Sequence, residues 1–183
     1  MDPESDTIEL AAAGDLQAFE RVVNHYSAAI VRYVQNMIGD QHAAEDVAQR
    51  VFLNLYRSFE QFDKTRGSFN AWIYRIARNA ALNHLRDSRQ HQALTTELDH
   101  HSSSRDCPVQ TAELREQFAL LDDAVHRLPE AQRSAWVLAE FEGLTQAEIA
   151  EIEGVPEGTV KSRISRARET LLNALRNEIG MER

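Results

Sequence analysis

Apolar residues recur at helical spacing along most of the chain. Over residues 15–39, Phe19, Val22, Val23, Tyr26, Ile30, Val31 and Val34 form one stripe, with Asp15 or Gly14 as the start signal and Gly39-Asp40 as the stop. Residues 42–59 place Ala44, Val47, Ala48, Val51, Phe52, Leu55 and Tyr56 inward. Residues 69–86 do the same with Trp72, Ile73, Ile76, Ala77, Ala80 and Leu85. The intervening 62–68 breaks the period and reads as a loop. Three packed helices thus predict a small domain over residues 1–88. From 89 to 111 periodicity vanishes in a polar, serine-rich stretch, which predicts a flexible linker. It resumes at Ala112 with Leu114, Phe118, Leu121 and Val125. Leu128-Pro129-Glu130 restarts a helix carrying Ala135, Trp136, Leu138 and Phe141.

The last two helices of this second unit, residues 112–183, carry the sharpest local signal. Thr145 is a good N-cap and Glu148, three residues on, completes a capping box. Ala147, Ile149, Ala150 and Ile152 form the expected buried stripe. Gly154 supplies backbone freedom for a tight turn, Pro156 forbids continuation, and Thr159 and Val160 open a second helix. On that helix Val160, Ile164, Ala167 and Leu171 face inward, leaving Lys161, Ser162, Ser165, Arg166 and Arg168 outside. This is the pattern of a helix-turn-helix, whose outward residues can donate hydrogen bonds to phosphates and base edges in a major groove. The predicted fold is all-α: two small helical domains joined by a flexible linker, the C-terminal one containing the helix-turn-helix.

Composition agrees, with only 7 glycines and 4 prolines in 183 residues. A net charge of −9 looks wrong for a nucleic-acid binder until its distribution is read. Residues 69–90 hold four arginines against Asp87, a net +3. Residues 157–168 hold Lys161, Arg163, Arg166 and Arg168 against Glu157, again +3. Between them, residues 91–156 carry four arginines and thirteen acids, a net −9. Two cationic patches flanking an acidic middle suit a protein that touches DNA at two separated places and needs a partner to bind tightly. No apolar run approaches the roughly 20 residues of a membrane span, and no basic-then-apolar leader is present, so a cytoplasmic location is expected. A single cysteine, Cys107, fits a reducing compartment.

Several motifs in order resemble an extracytoplasmic-function (ECF) sigma factor, group IV of the bacterial primary-type class. In the second unit they are Leu128-Pro129-Glu130-Ala131-Gln132-Arg133, Glu142-Gly143-Leu144-Thr145, Glu148-Ile149-Ala150 and the run from Gly158 to Arg168. In the first they are Gly14-Asp15-Leu16-Gln17-Ala18-Phe19, Ala44-Glu45-Asp46-Val47-Ala48-Gln49, Val51-Phe52-Leu53 and the run from Phe69 to Asn79. The resemblance implies that residues 1–88 are sigma region 2, which binds core polymerase and melts the minus-ten element, and that 112–183 are region 4, which reads the minus-thirty-five element as duplex. By that likeness Lys161, Ser162, Ser165 and Arg166 face bases or adjacent phosphates, and Arg163 and Arg168 face phosphates. The loop 62–68 resembles the base-capturing loop. Asn79 and Asn83, four apart, can offer donors and acceptors to base edges, and Arg75 and Arg78 can hold single-strand phosphates. Trp72 and Tyr74 are candidates to stack on bases, although the place of Trp72 in the apolar stripe favours core.

The outer face of the second helix carries Glu45, Asp46, Gln49 and Arg50, with Leu53, Asn54 and Arg57. In the family this surface docks on the large clamp subunit of RNA polymerase. Arg50 departs from the pattern, since an acid commonly follows that glutamine. The resemblance further implies control by an anti-sigma factor, often membrane-bound. No cofactor, metal or small-molecule substrate is expected. His91, His100, His101 and Cys107 match no regular ligand spacing, and no catalytic arrangement is visible. A dimeric helix-turn-helix regulator would need a sensor pocket and a self-complementary face; a pure interaction module would explain the acidity but not the cationic helix.

Overall fold

The computed structural model describes residues 5–65, 67–94 and 112–179, and among them every regular element is helical. The first half comprises α1 (Ser5–Ala12), α2 (Leu16–Ile38), α3 (Gln41–Ser58), a single 3-10 turn (Phe59–Gln61) and α4 (Phe69–Leu94). The second comprises α5 (Ala112–His126), α6 (Glu130–Glu140), α7 (Gln146–Glu153) and α8 (Glu157–Ile179).

Local chemistry explains the boundaries. Asp15 caps α2 by accepting from the amides of Gln17 and Ala18 at 2.8 and 3.0 Å, worth about 1 kcal/mol. Gly39 ends it in the left-handed conformation, φ 86°, its amide donating to the Gln35 carbonyl. Asp40 then caps α3 through the Ala43 amide. Thr145 and Glu148 form the expected capping box on α7, and Gly154 closes that helix at φ 66°. The second helix of the pair begins at Glu157, two residues before the expected Thr159, because Pro156 supplies the first carbonyl, accepting from the amides of both Thr159 and Val160.

The first half contains a helix the periodicity missed, α1, too short to show a stripe and contributing the buried Ala11. Its α4 runs to Leu94, so residues 89–94 continue a helix and are not linker. Residues 95–111, with His100, His101 and Cys107, lie outside the described residues. Some expected apolar positions fall elsewhere: Tyr56 is 53% exposed on α3, Ala147 is exposed on α7, and Phe141 caps the end of α6 and is exposed. Leu114 and Phe118 have side chains outside the described set.

Helices α2, α3 and α4 pack on one another around Val22, Ile30, Val34, Val51, Leu55, Ile73 and Ala77. Helices α6, α7 and α8 close around Leu138, Ile149, Ile152, Val160 and Ala167. The halves are not the loosely tethered pair that the linker suggests. α4 packs on α7, and α2 packs on both α5 and α6. The C-terminal end of α2 buries Tyr33, Val34, Asn36 and Met37, more than one stripe, because it has a partner on each side.

Candidate nucleic-acid and polymerase interfaces

The exposed row on α8 follows from the burial of its opposite face. With Val160, Ile164, Ala167 and Leu171 inside, Lys161, Ser162, Ser165, Arg166 and Arg168 are all exposed. Two of these are already engaged, since the Ser162 hydroxyl donates to the Thr159 carbonyl at 2.8 Å and Arg168 is paired with Glu140 of α6; their neighbour Arg163, half-buried, is paired with Glu153 at 2.5 Å.

The loop 62–68 is rooted in an aromatic cluster of Phe59, Phe62, Phe69 and Trp72, with ring centroids 5.2–5.8 Å apart. Trp72 is therefore half-buried in this cluster. Asp63 tightens the loop by accepting from the amide and hydroxyl of Thr65, and the Ser68 hydroxyl accepts from the Ala71 amide to start α4. Beside the loop lies a cleft of about 430 Å³ lined by Gln61, Phe62, Asp63, Gly67, Ser68, Trp72 and Arg75, and also by Glu151 of α7. Arg75, Asn79 and Asn83 are exposed along α4 from this cleft. They form one polar stripe at helical spacing.

Tyr74 and Arg78 lie on a different face of α4. Tyr74 is buried against the second half, where its hydroxyl donates to Glu142 at 2.7 Å, so it cannot stack on a base in this arrangement. Arg78 reaches the Ser134 hydroxyl at 3.3 Å and the buried Glu153 carboxylate at 3.6 Å. Around them is a polar seam. Arg32 grips Glu142 with two hydrogen bonds of 3.0 and 2.8 Å, and Tyr33 meets Ser134 at 3.3 Å. The Arg133 guanidinium donates to the carbonyls of Met37, His126 and Leu128. Burial pushes the phenols of Tyr33 and Tyr74 well above their usual range, helped for Tyr74 by Glu142, while the Glu142 hydrogen bond raises the Arg32 pKa and burial lowers that of Arg133. Of the seam and cleft residues Arg32, Tyr33, Ser134, Glu142, Glu151 and Glu153, only Glu142 lies in one of the motifs read from the sequence, and there with no role assigned. The available signals are a second buried face on α2 and the polar pair Arg133-Ser134 inside the apolar run of α6.

On α3, Glu45, Asp46, Gln49 and Arg50 are exposed together, opposite the stripe of Ala44, Val47, Ala48 and Val51. Leu53, 56% exposed, and Tyr56 extend this surface with apolar area. Among the described residues no group of three or more His, Cys, Asp or Glu side chains is placed to hold a metal ion, and no helix is long and apolar enough to cross a membrane.

Comparison with known proteins matches both halves. Residues 22–91 fit the family model of Sigma-70 region 2, and residues 118–171 that of Sigma-70, region 4. The RNA polymerase sigma-H factor of Pseudomonas aeruginosa is 36% identical, covering 94% of this chain and 93% of its own. The ECF RNA polymerase sigma factor SigW of Bacillus subtilis is 32% identical over 93% and 95%. The fold is that of CnrH solved with the cytosolic domain of CnrY, with TM-score 0.72 at 24% identity over 95% of this chain and 97% of that one. It is also that of RpoE of Bartonella quintana solved with the anti-sigma factor NepR, with TM-score 0.73 at 23% over 92% and 100%.

Proposed function

The chain belongs to the ECF sigma factors of RNA polymerase, and from that premise we propose how its surfaces divide the work of promoter-specific initiation. Residues 1–88 act as the region 2 unit, docking on the large clamp subunit of core polymerase through Glu45, Asp46, Gln49, Arg50 and Leu53. The cleft beside loop 62–68 and the stripe of Arg75, Asn79 and Asn83 receive the minus-ten strand as it melts. Arg78 joins them once the halves part. Residues 112–183 act as the region 4 unit, with Lys161, Ser162, Arg163, Ser165, Arg166 and Arg168 on the minus-thirty-five duplex. The segment after α4, up to residue 111, lets the two units reach both elements at once.

Sigma factors are not enzymes, and this chain supplies recognition while polymerase supplies the chemistry. It acts in the cytoplasm, where polymerase meets the chromosome. An anti-sigma factor is its natural antagonist, as NepR is partnered with RpoE in the solved complex. The observation that carries this reading is the cationic, outward row of α8 backed by a fully apolar inner face. Replacing Lys161 or Arg166 with alanine is expected to weaken promoter engagement by about 1–3 kcal/mol where the contact is bidentate to a base. Co-elution with core polymerase should be unchanged. Loss of core binding with promoter recognition intact in run-off transcription would overturn the assignment.

A further inference from the structure

The seam between the halves places acids of α7 against the cations assigned to DNA. Glu151 lines the same cleft as Arg75, and its carboxylate lies on the backbone of Gly67: a Cβ there would sit 1.8 Å from its Oε1. Gly67, at φ 153°, is the residue type that permits this approach. Two residues on, the Glu153 side chain is fully buried, with Oε2 2.5 Å from Arg163 of α8 and Oε1 3.6 Å from Arg78 of α4. One carboxylate thus holds a cation from each proposed DNA surface, as a phosphate would.

Those two surfaces cannot share a carboxylate and a promoter at the same time. Elements centred ten and thirty-five base pairs upstream are about 25 base pairs apart, roughly 85 Å at 3.4 Å per base pair. Burying a carboxylate is costly and contributes little net stability even when paired, so the arrangement is poor as a staple and well suited to release. Beside the apolar packing of α2 on α5 and α6, the seam is rich in hydroxyls, ion pairs and the Arg133 guanidinium, the polar make-up of an interface that can part.

We propose that α7 is an internal stand-in for promoter DNA: Glu151 and Glu153 occupy the strand-binding cleft and reach Arg78 in the free protein, and the halves must part before the α4 surface engages the melted strand. This rests on the assignment of the cleft and the α4 stripe to the melted strand. Opening frees Arg78 from Glu153 and takes Glu151 away from the cleft beside Arg75, while Glu153 stays paired with Arg163 inside the second half, so the closed protein blocks its α4 surface by its own contacts.

The test uses the full-length free protein, small-angle scattering for separation of the halves, and fluorescence anisotropy with a labelled random-sequence single-stranded 12-mer. Glu151→Gln combined with Glu153→Gln should increase the radius of gyration and tighten binding about tenfold, with the salt dependence steepened by about 0.7 for each freed cation. Removing two negative charges would favour DNA in any protein, so Arg32→Ala is the decisive companion. It strips a cation yet leaves Glu142 held across the seam by Tyr74 alone, and it should likewise open the halves and tighten binding. Glu151→Gln alone, at an exposed position, guards against a folding defect. Weaker or unchanged binding by opened Arg32→Ala protein, or a wild-type protein already as extended as the variants, overturns the proposal. If binding does tighten but Arg75→Ala in the opened background removes none of the gain, the strand-binding assignment fails instead.

Discussion

Tyr33 and Tyr74 bring their hydroxyls into the seam from α2 and α4, meeting Ser134 and Glu142 of the other half. Both phenols have folded pKa values raised above the ordinary 10.0, by burial first. The fold therefore retains the neutral form. Stability is intact below pH 10 and is lost as pH rises through 10 towards the folded values. Denaturant titrations at pH 9 and pH 11 should show this loss, and phenylalanine at both positions should shrink it at a cost of about 1 kcal/mol per hydrogen bond near neutrality. An equal loss in the double variant would place the alkaline sensitivity elsewhere. The same pair shows where local reading stops. Arg75 and Arg78 are both cations on one helix, and charge alone gives them one role. The second half packs between them, so Arg78 shares the seam with Tyr74 while Arg75 shares the open face with Asn79. Nothing in the period of α4 encodes where another domain will lie.

At the scale of elements, α7 and α8 were legible because their determinants are local: a capping box, a left-handed glycine, a proline and an apolar stripe within thirty residues. Helix α1 and the last turns of α4 were not, being too short or too polar to show a stripe; the turns of α4 extend a helix already formed, and α1 is a separate short helix that packs on α2. The outer face of α3 was legible as solvated, and its proposed docking role is testable. Asp46→Arg with Gln49→Ala should lower affinity for core polymerase while leaving circular dichroism unchanged, since both side chains lie opposite the buried stripe. Normal co-elution of this double variant with core enzyme would exclude the face. On α4, alanine at Asn79 and Asn83 should spare the closed complex and reduce permanganate-reactive thymines in the open one. Pre-melted promoter should also bind less well, because the lost contacts are to the base and not to the melting step. Equal footprints and equal affinity for pre-melted DNA would leave these asparagines as surface residues only.

At the scale of the whole molecule, the sequence indicated two helical units in the correct order but not their contact, because contact depends on groups that are scattered along the chain and polar. Arg133 is the clearest case. It lies in the motif Leu128-Pro129-Glu130-Ala131-Gln132-Arg133, where the sequence assigns it no structural role, yet it is buried, and its guanidinium joins the end of α2 to the α5–α6 turn through the carbonyls of Met37, His126 and Leu128. Burial lowers its pKa, but a guanidinium stays charged throughout the ordinary pH range, so it functions as a fixed donor and not as a titrating switch. Alanine there leaves those carbonyls without their donor, at about 1–3 kcal/mol for each that water cannot reach. Because Met37 belongs to one half and the other two carbonyls to the second, the loss falls on the coupling between halves as well as on each. Calorimetry of wild-type protein should give one cooperative transition. Arg133→Ala should lower and broaden it or split it in two, and hydrogen exchange should quicken at the end of α2 and the start of α6 before it does in the centre of α3. A lysine at this position keeps the charge but reaches fewer carbonyls and should fall between the two. A single sharp transition at the wild-type temperature in the alanine variant would mean that the halves are joined by their apolar contacts alone.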